Sequence, residues 1–208
     1  MPEIGLFIAA STLLALAPGP DVIYVLTRAI AQGRKAGLAA ALGFASGCIF
    51  HTALAAVGVA ALIRSSELAF DLVRYAGAAY LAYIGIQALR HRSAFSLQGA
   101  SDAKALMTIY RQSVIGNMLN PKVTLFFLAF LPQFVDAPAG HVGLQMAILG
   151  MVFMLVTVVV FGAIALFAAM IGDWVRRKPA IGERLNVFAG LTFIALGIRV
   201  ALPDMAGK

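Results

Sequence analysis

The chain has 208 residues, 62% hydrophobic and 12% charged, with a formal net charge of +7 and a mean hydropathy of +0.92. Soluble domains carry about twice that charged fraction, a disordered chain lacks the apolar content, and one cysteine, Cys48, cannot build a disulfide scaffold. The composition fits a bilayer as solvent, where basic excess marks cytoplasmic loops and anionic headgroups rather than nucleic acid.

A bilayer-crossing helix needs about 20 mostly apolar residues. The uncharged windows are 4–20, 36–63, 75–89, 112–121, 123–135, 137–172 and 185–198. Only Lys122 divides 112–121 from 123–135, so these join as one span. The longest window is too short for two spans and a turn, and Pro138-Ala139-Gly140-His141 marks a loop at its start. The chain therefore reads as an all-α polytopic membrane protein in one domain, 1–208, with six helices near 4–27, 38–63, 68–89, 113–135, 143–171 and 185–202.

The first span is retained as a helix rather than a cleaved signal peptide. It has only Glu3 before its apolar run, is long for a signal core, and contains a Pro18-Gly19-Pro20 break. The segment 90–112 reads as a cytoplasmic linker. Within it Asp102 can cap a short interfacial helix whose apolar face is Ala105, Leu106, Met107, Ile109 and Tyr110, leading into span 4. Trp174, beside Arg176 and Arg177, reads as a headgroup-level anchor, and Arg199 as a residue that snorkels outward.

Basic residues set the orientation. Eleven lie in the loops after spans 1, 3 and 5 (Arg28, Arg34, Lys35; Arg90, Arg92, Lys104, Arg111; Arg176, Arg177, Lys178, Arg184). Only Arg64, Arg74 and Lys208, three residues, belong to the other side. Both termini of this multi-pass protein are therefore expected outside the cytoplasm.

The halves resemble each other. Tyr75-Ala76-Gly77, Tyr80-Leu81-Ala82 and Gly85-Ile86 in span 3 match Phe188-Ala189-Gly190, Phe193-Ile194-Ala195 and Gly197-Ile198 in span 6, the last group offset by one residue. Pro20-Asp21 in span 1 matches Pro121-Lys122 in span 4, and Gly37-Leu38 matches Gly143-Leu144 at the entry to the following span. Repeat 1 covers about 1–89 and repeat 2 about 113–208. Three spans per half is an odd number, so the two repeats must be inserted in opposite directions.

Two segments violate the rules of a passive span. In Ala17-Pro18-Gly19-Pro20-Asp21 two prolines remove backbone donors, so carbonyls of the preceding turn are freed to face a cavity. Asp21 then adds a carboxylate inside the span. In Asn117-Met118-Leu119-Asn120-Pro121-Lys122, Pro121 frees a carbonyl near Asn117, and Asn117 and Asn120 share a helix face. Lys122 adds an ammonium that needs pairing or hydration. The candidate substrate-binding residues are Pro18, Gly19, Pro20, Asp21, Asn117, Asn120, Pro121 and Lys122. The simpler alternatives are proline kinks with polar repair, and a structural Asp21–Lys122 ion pair. Gly43 and Gly47 read as helix-packing contacts, and Cys48 and His51 as satisfied core residues.

Taken together, Pro-Gly-Pro in the first span, Asn-Pro-Lys in the fourth and the glycine pattern of the third resemble the LysE/RhtB family of bacterial amino-acid exporters, over essentially the whole chain. The resemblance implies export of amino acids or close derivatives (threonine, homoserine and its lactone, leucine, arginine, lysine, cysteine) in exchange for protons. It carries over to Pro18, Gly19, Pro20 and Asp21, and to Asn120, Pro121 and Lys122.

An amino-acid zwitterion needs opposite charges held apart. Lys122 or helix N-terminal amides suit its carboxylate, and Asp21 or freed carbonyls its ammonium. Asp21 is also the candidate proton carrier, because burial and a nearby cation act on a carboxyl in opposite senses.

The expectation is a secondary transporter, not an enzyme. Its partners are a small amino-acid substrate, protons and membrane lipids, with no cofactor, no metal and no nucleic acid, and a homo-oligomer is compatible with the sequence. The alternatives are a passive channel and a membrane-embedded redox or enzyme protein. Against the latter, thiol carriers need two cysteines, Ser46 and His51 lie on one helix without Gly-x-Ser-x-Gly, and no nucleotide-binding loop is present.

Overall fold

The computed structural model describes residues 4–17, 19–59, 67–90, 103–168, 170 and 179–202, and among them every regular element is helical. The helices are α1 (Ile4–Leu16), α2 (Pro20–Gln32), α3 (Arg34–Leu54), α4 (Glu67–Arg90), α5 (Leu106–Met118), α6 (Pro121–Leu125), α7 (Val142–Leu166) and α8 (Pro179–Ala201). A π-helical turn, Ala55–Val59, continues α3. A second, Phe126–Phe130, followed by a 3₁₀ turn, Leu131–Phe134, continues α6.

Residues 34–58 and 142–166 are long and apolar enough to cross a membrane as single rods. Two further spans qualify only as bent pairs: α1 with α2, bent by 59°, and α5 with α6 and its extension, bent by 48°. Each bend falls where the sequence places a proline, and Pro20 and Pro121 both occupy the opening of the second half-helix. That position needs no N–H donor, so proline starts the new segment at no cost while ending the old one. Helices α4 and α8 have 24 and 23 residues, about 35 Å each at 1.5 Å per residue, with charged groups towards their ends.

The structure moves several expected boundaries. The first span runs to Gln32 rather than 27, and α3 follows after Gly33 alone. Arg28 was expected to end the span as a loop cation, yet its guanidinium is buried. It donates to Gln32 Oε1 at 2.9 Å and lies 5.3 Å from the centre of the Tyr24 ring. A paired arginine can stay in a helix, so the stop is set by Gly33, whose φ of +86° favours glycine. Ala105 to Arg111 do not form a separate interfacial helix: from Leu106 onward they are the opening turns of α5, and Ile109 is fully buried. Once an apolar face finds a protein partner, it has no need of the headgroup layer. Asp102, Trp174 and the side chains of Arg74 and Arg199 lie outside the described residues.

Packing interleaves the two halves of the chain. Helix α3 packs against α2, α5 and α7, while α7 also packs against α1 and α2, and α4 packs along α8. Small residues permit this closeness. A Cβ on Gly47 would lie 2.6 Å from Asn117 Cβ, and Cβ atoms on Gly85 and Gly190 would each lie 2.7 Å from the other residue's carbonyl oxygen. Gly43 is likewise filled by Tyr110 and Ser113 of α5, so both α3 glycines are packing contacts.

The buried apolar residues fall into two clusters. One is dense in rings: Phe7, Phe126, Phe127, Phe130, Phe134 and Phe153, at the end of the bundle where α1 begins. The other, around Val25, Leu26, Phe44, Phe161 and Ile164, lies towards the end where α2 finishes. The breaks in both bent spans sit at the seam between them.

Candidate functional site

At the seam a small cavity of about 10 Å³ holds room for about one water. Its polar lining is Asp21, Asn117, Lys122 and Thr157; its apolar lining includes Leu14, Val123, Phe153 and Phe161. The structure thus brings Asp21 and Lys122, 101 positions apart in sequence, to one shared cavity.

The two charges are seated by helix ends. Asp21 is the second residue of α2 and only 3% exposed; the positive end of the helix dipole favours a carboxylate there. Lys122 is the second residue of α6, where the same dipole disfavours a cation. Its ammonium reaches instead across to the negative end of α1, donating to Leu14 O at 3.3 Å and Ala17 O at 3.5 Å. Leu14 O is the carbonyl that Pro18, lacking an N–H, cannot engage. The break in span 1 therefore supplies a cation seat and an anion seat within one turn of each other.

Asn120 joins the two breaks. Its Nδ2 donates to both Asp21 oxygens at 2.8 Å, and its Oδ1 accepts from Lys122 N at 3.0 Å, capping α6. Among the described contacts Asp21 and Lys122 do not meet as a direct ion pair: the carboxylate is held by Asn120 and the ammonium by the α1 carbonyls. This differs from the simple structural pair that the sequence also allowed.

The other expected residues divide by position. Asn117, 2% exposed, lines the cavity, and its Oδ1 has no hydrogen-bond partner among the described atoms. Pro20 and Pro121 are exposed and line no part of the cavity, so they shape the site by breaking the helices. Pro18 lies outside the described residues.

Gly19 has φ −164° and ψ 175°, extended backbone open to any residue, so its value is space: a Cβ there would lie 3.0 Å from Lys122 Nζ. Gly19→Val is therefore expected to displace the ammonium, lowering transport by about tenfold while leaving the amount in the membrane unchanged. Efflux normalised to membrane level checks this, and a Gly19→Ala variant should fall between.

Sequence reasoning did not single out Thr157, Phe153 or Phe161. Thr157 is buried in α7, with its hydroxyl donating to Phe153 O at 2.9 Å. A lone hydroxyl in the apolar window 137–172 was the signal available for it. The two rings carried no signal, because phenylalanine in a span reads equally well as lipid-facing. Among the described residues no cluster of His, Cys, Asp or Glu could hold a metal ion.

Comparison with known proteins gives one consistent result. Residues 12–203 match the family model described as LysE type translocator. The chain is 32% identical over 195 residues to a homoserine/homoserine lactone efflux protein of Salmonella typhimurium, covering 94% of each chain. It is 29% identical over 198 residues to a leucine efflux protein of Salmonella choleraesuis, covering 94% of this chain and 92% of the other. An uncharacterized membrane protein of Vibrio cholerae is 32% identical over 196 residues, again with 94% of each chain covered. No solved structure matches.

Proposed function

The chain belongs to the LysE type translocator family, and from that premise we propose that it exports an amino acid or close derivative across the bacterial inner membrane. Homoserine, its lactone, threonine and leucine are the candidate substrates, moved by proton antiport through alternating access. Two of the relatives named above are efflux proteins, which supports a transporter rather than an enzyme. The observation that carries the reading is the seat built from both breaks: Asp21 and Lys122 on one cavity, with Asn120 holding the carboxylate and the carbonyls of Leu14 and Ala17 holding the ammonium.

In the proposed mechanism the substrate replaces contacts the protein makes with itself. The substrate ammonium takes Leu14 O and Ala17 O, releasing Lys122 to receive the substrate carboxylate, while Asp21 exchanges the proton. A cavity of about 10 Å³ cannot hold an amino acid, and small-molecule sites measure about 300 Å³ or more. In this reading transport therefore needs the two bent spans to part.

Six spans in two inverted repeats supply that motion in this reading. It is supported by the recurring order of bent span, long rod and third helix, and by the matching contacts between α4 and α8. Gly85 meets the Gly190 carbonyl and the reverse, and Gly197 meets the carbonyl of Ala78. Both termini are placed in the periplasm by the basic asymmetry alone.

The test is efflux of a panel of labelled amino acids from proteoliposomes, with and without an imposed proton gradient. Accumulation of a neutral amino acid against its gradient, abolished when the proton gradient is collapsed, is expected. Flat efflux across the panel would overturn the exporter reading, and gradient-independent equilibration would turn it into a channel.

A further inference from the structure

His51 has no assigned role. It lies on α3, fully buried, near the end of a helix otherwise lined with apolar and small residues. Its Nε2 is 2.9 Å from the main-chain oxygen of Asn117. A carbonyl oxygen only accepts, so Nε2 carries the proton and donates.

That acceptor has a particular origin. In an unbroken helix Asn117 O would receive the N–H four residues on, and that residue is Pro121, which has none. The carbonyl also receives Asn120 N at 2.9 Å, a tighter turn that ends α5. His51 thus supplies, from a different helix, the donor that the proline removed. Lys122 does the same for Leu14 O in the other bent span. The carbonyls freed by Pro18 and Pro121 are thus each held by a side chain from another helix.

The surroundings fix the ring. His51 lies 5.7 Å from the Phe127 ring and 5.4 Å from that of Phe50. Phe127 belongs to the π turn Phe126–Phe130, which packs against the π turn Ala55–Val59 that begins one turn after His51. Two local departures from α-helical register meet beside this histidine, and such turns often accompany functional sites. Three residues after Asn117 comes Asn120, which holds Asp21, and then Lys122, which holds α1. A donor fixed on Asn117 O therefore sets the bend from which both of those side chains reach across.

We propose that His51 is a positioning residue of the transport site. Its Nε2–H, donated to the carbonyl freed by Pro121, holds the break between α5 and α6 at the angle that places Asn120 on Asp21 and Lys122 on Leu14 and Ala17. The proposal rests on the exporter reading for its effect on transport, and on geometry alone for its effect on the bend.

The test compares His51→Gln, whose amide donor has about the reach of Nε2, with His51→Phe, which keeps the ring volume without a donor. At equal membrane levels, His51→Phe is expected to lower the maximal export rate about 10- to 100-fold, and His51→Gln to stay within about threefold of the parent. A second readout needs no transport: spin labels on the exposed positions Leu16 and Leu119, 49% and 76% exposed, in a Cys48→Ala background. Their distance distribution should be as narrow in His51→Gln as in the parent and broadened or shifted in His51→Phe.

If His51→Phe fails to insert, His51→Asn, whose amide is too short to reach, takes its place in both measurements. Equal export and equal distance distributions in the donor-bearing and donor-lacking variants would overturn the proposal. If the parent exports nothing while the distances still follow the donor, it is the exporter reading that fails and the positioning role that stands.

Discussion

Lys122→Met and Asp21→Asn are each expected to reduce export about 100-fold or more, and the double variant is expected to remain inactive. Among the described residues Lys122 carries the only ammonium on the cavity lining and Asp21 the only carboxylate, and the proposed exchange uses both. The two charges attract each other across the cavity without touching, so each single variant is expected to lower stability as well. The double variant removes both charges and should be inserted at least as well as either single one. That separation makes the measurement decisive. A well-inserted double variant that exports like the parent would show that the two charges serve only each other, and a well-inserted but inactive one supports their joint work on substrate and proton. The readout is efflux of a labelled amino acid per unit of membrane-inserted protein.

The second large effect is expected at Asn120. Asn120→Asp keeps size, shape and the capping oxygen, since aspartate serves as an N-cap as well as asparagine. It replaces the donor facing Asp21, at 2.8 Å from both carboxylate oxygens, with another carboxylate. Two ionised groups at such a distance repel by about 6 kcal/mol at an effective dielectric of 20. Loss of insertion or a fall in export of about 100-fold or more is expected, with thermal unfolding in detergent shifted down.

Exchanging the pair, with Asp21→Asn and Asn120→Asp together, restores one donor group facing one carboxylate and the original net charge. The exchanged protein is expected to recover its thermal stability but not its export, because the carboxylate has left the α2 N-terminus. Full recovery of export would show that the cavity needs a carboxylate but not at position 21.

Much of this was legible in the sequence, and the reasons are local. Bilayer solvent follows from composition, the breaks from prolines that lack an N–H, and the choice of Asp21 and Lys122 as candidates from the cost of a charge within a span. These are properties of single residues and their chain neighbours. Freed carbonyls before Pro18 were likewise expected, and Leu14 O bears that out by accepting from Lys122.

What only the tertiary structure decided is where each lone group finds its partner. Charged residues were read as the ends of spans, yet Arg28 lies inside α2, because Gln32 and the Tyr24 ring pair with it. Ala105 to Arg111 were read as lying on the membrane surface, yet from Leu106 they are part of α5, because α3 covers one side of that helix. Asp21 and Lys122 were expected as a site or as an ion pair, and the structure gives them separate partners on one cavity, Asn120 for the carboxylate and the Leu14 and Ala17 carbonyls for the ammonium. His51 and Thr157 carried no periodic or spacing signal, since a single polar side chain on an apolar helix gains its meaning from what faces it. Sequence states which groups need a partner; which partner is supplied depends on helices brought together from more than 60 residues apart, as His51 and Asn117 are. No pattern along one strand of sequence encodes that pairing, because it is set by how the helices pack around the two breaks.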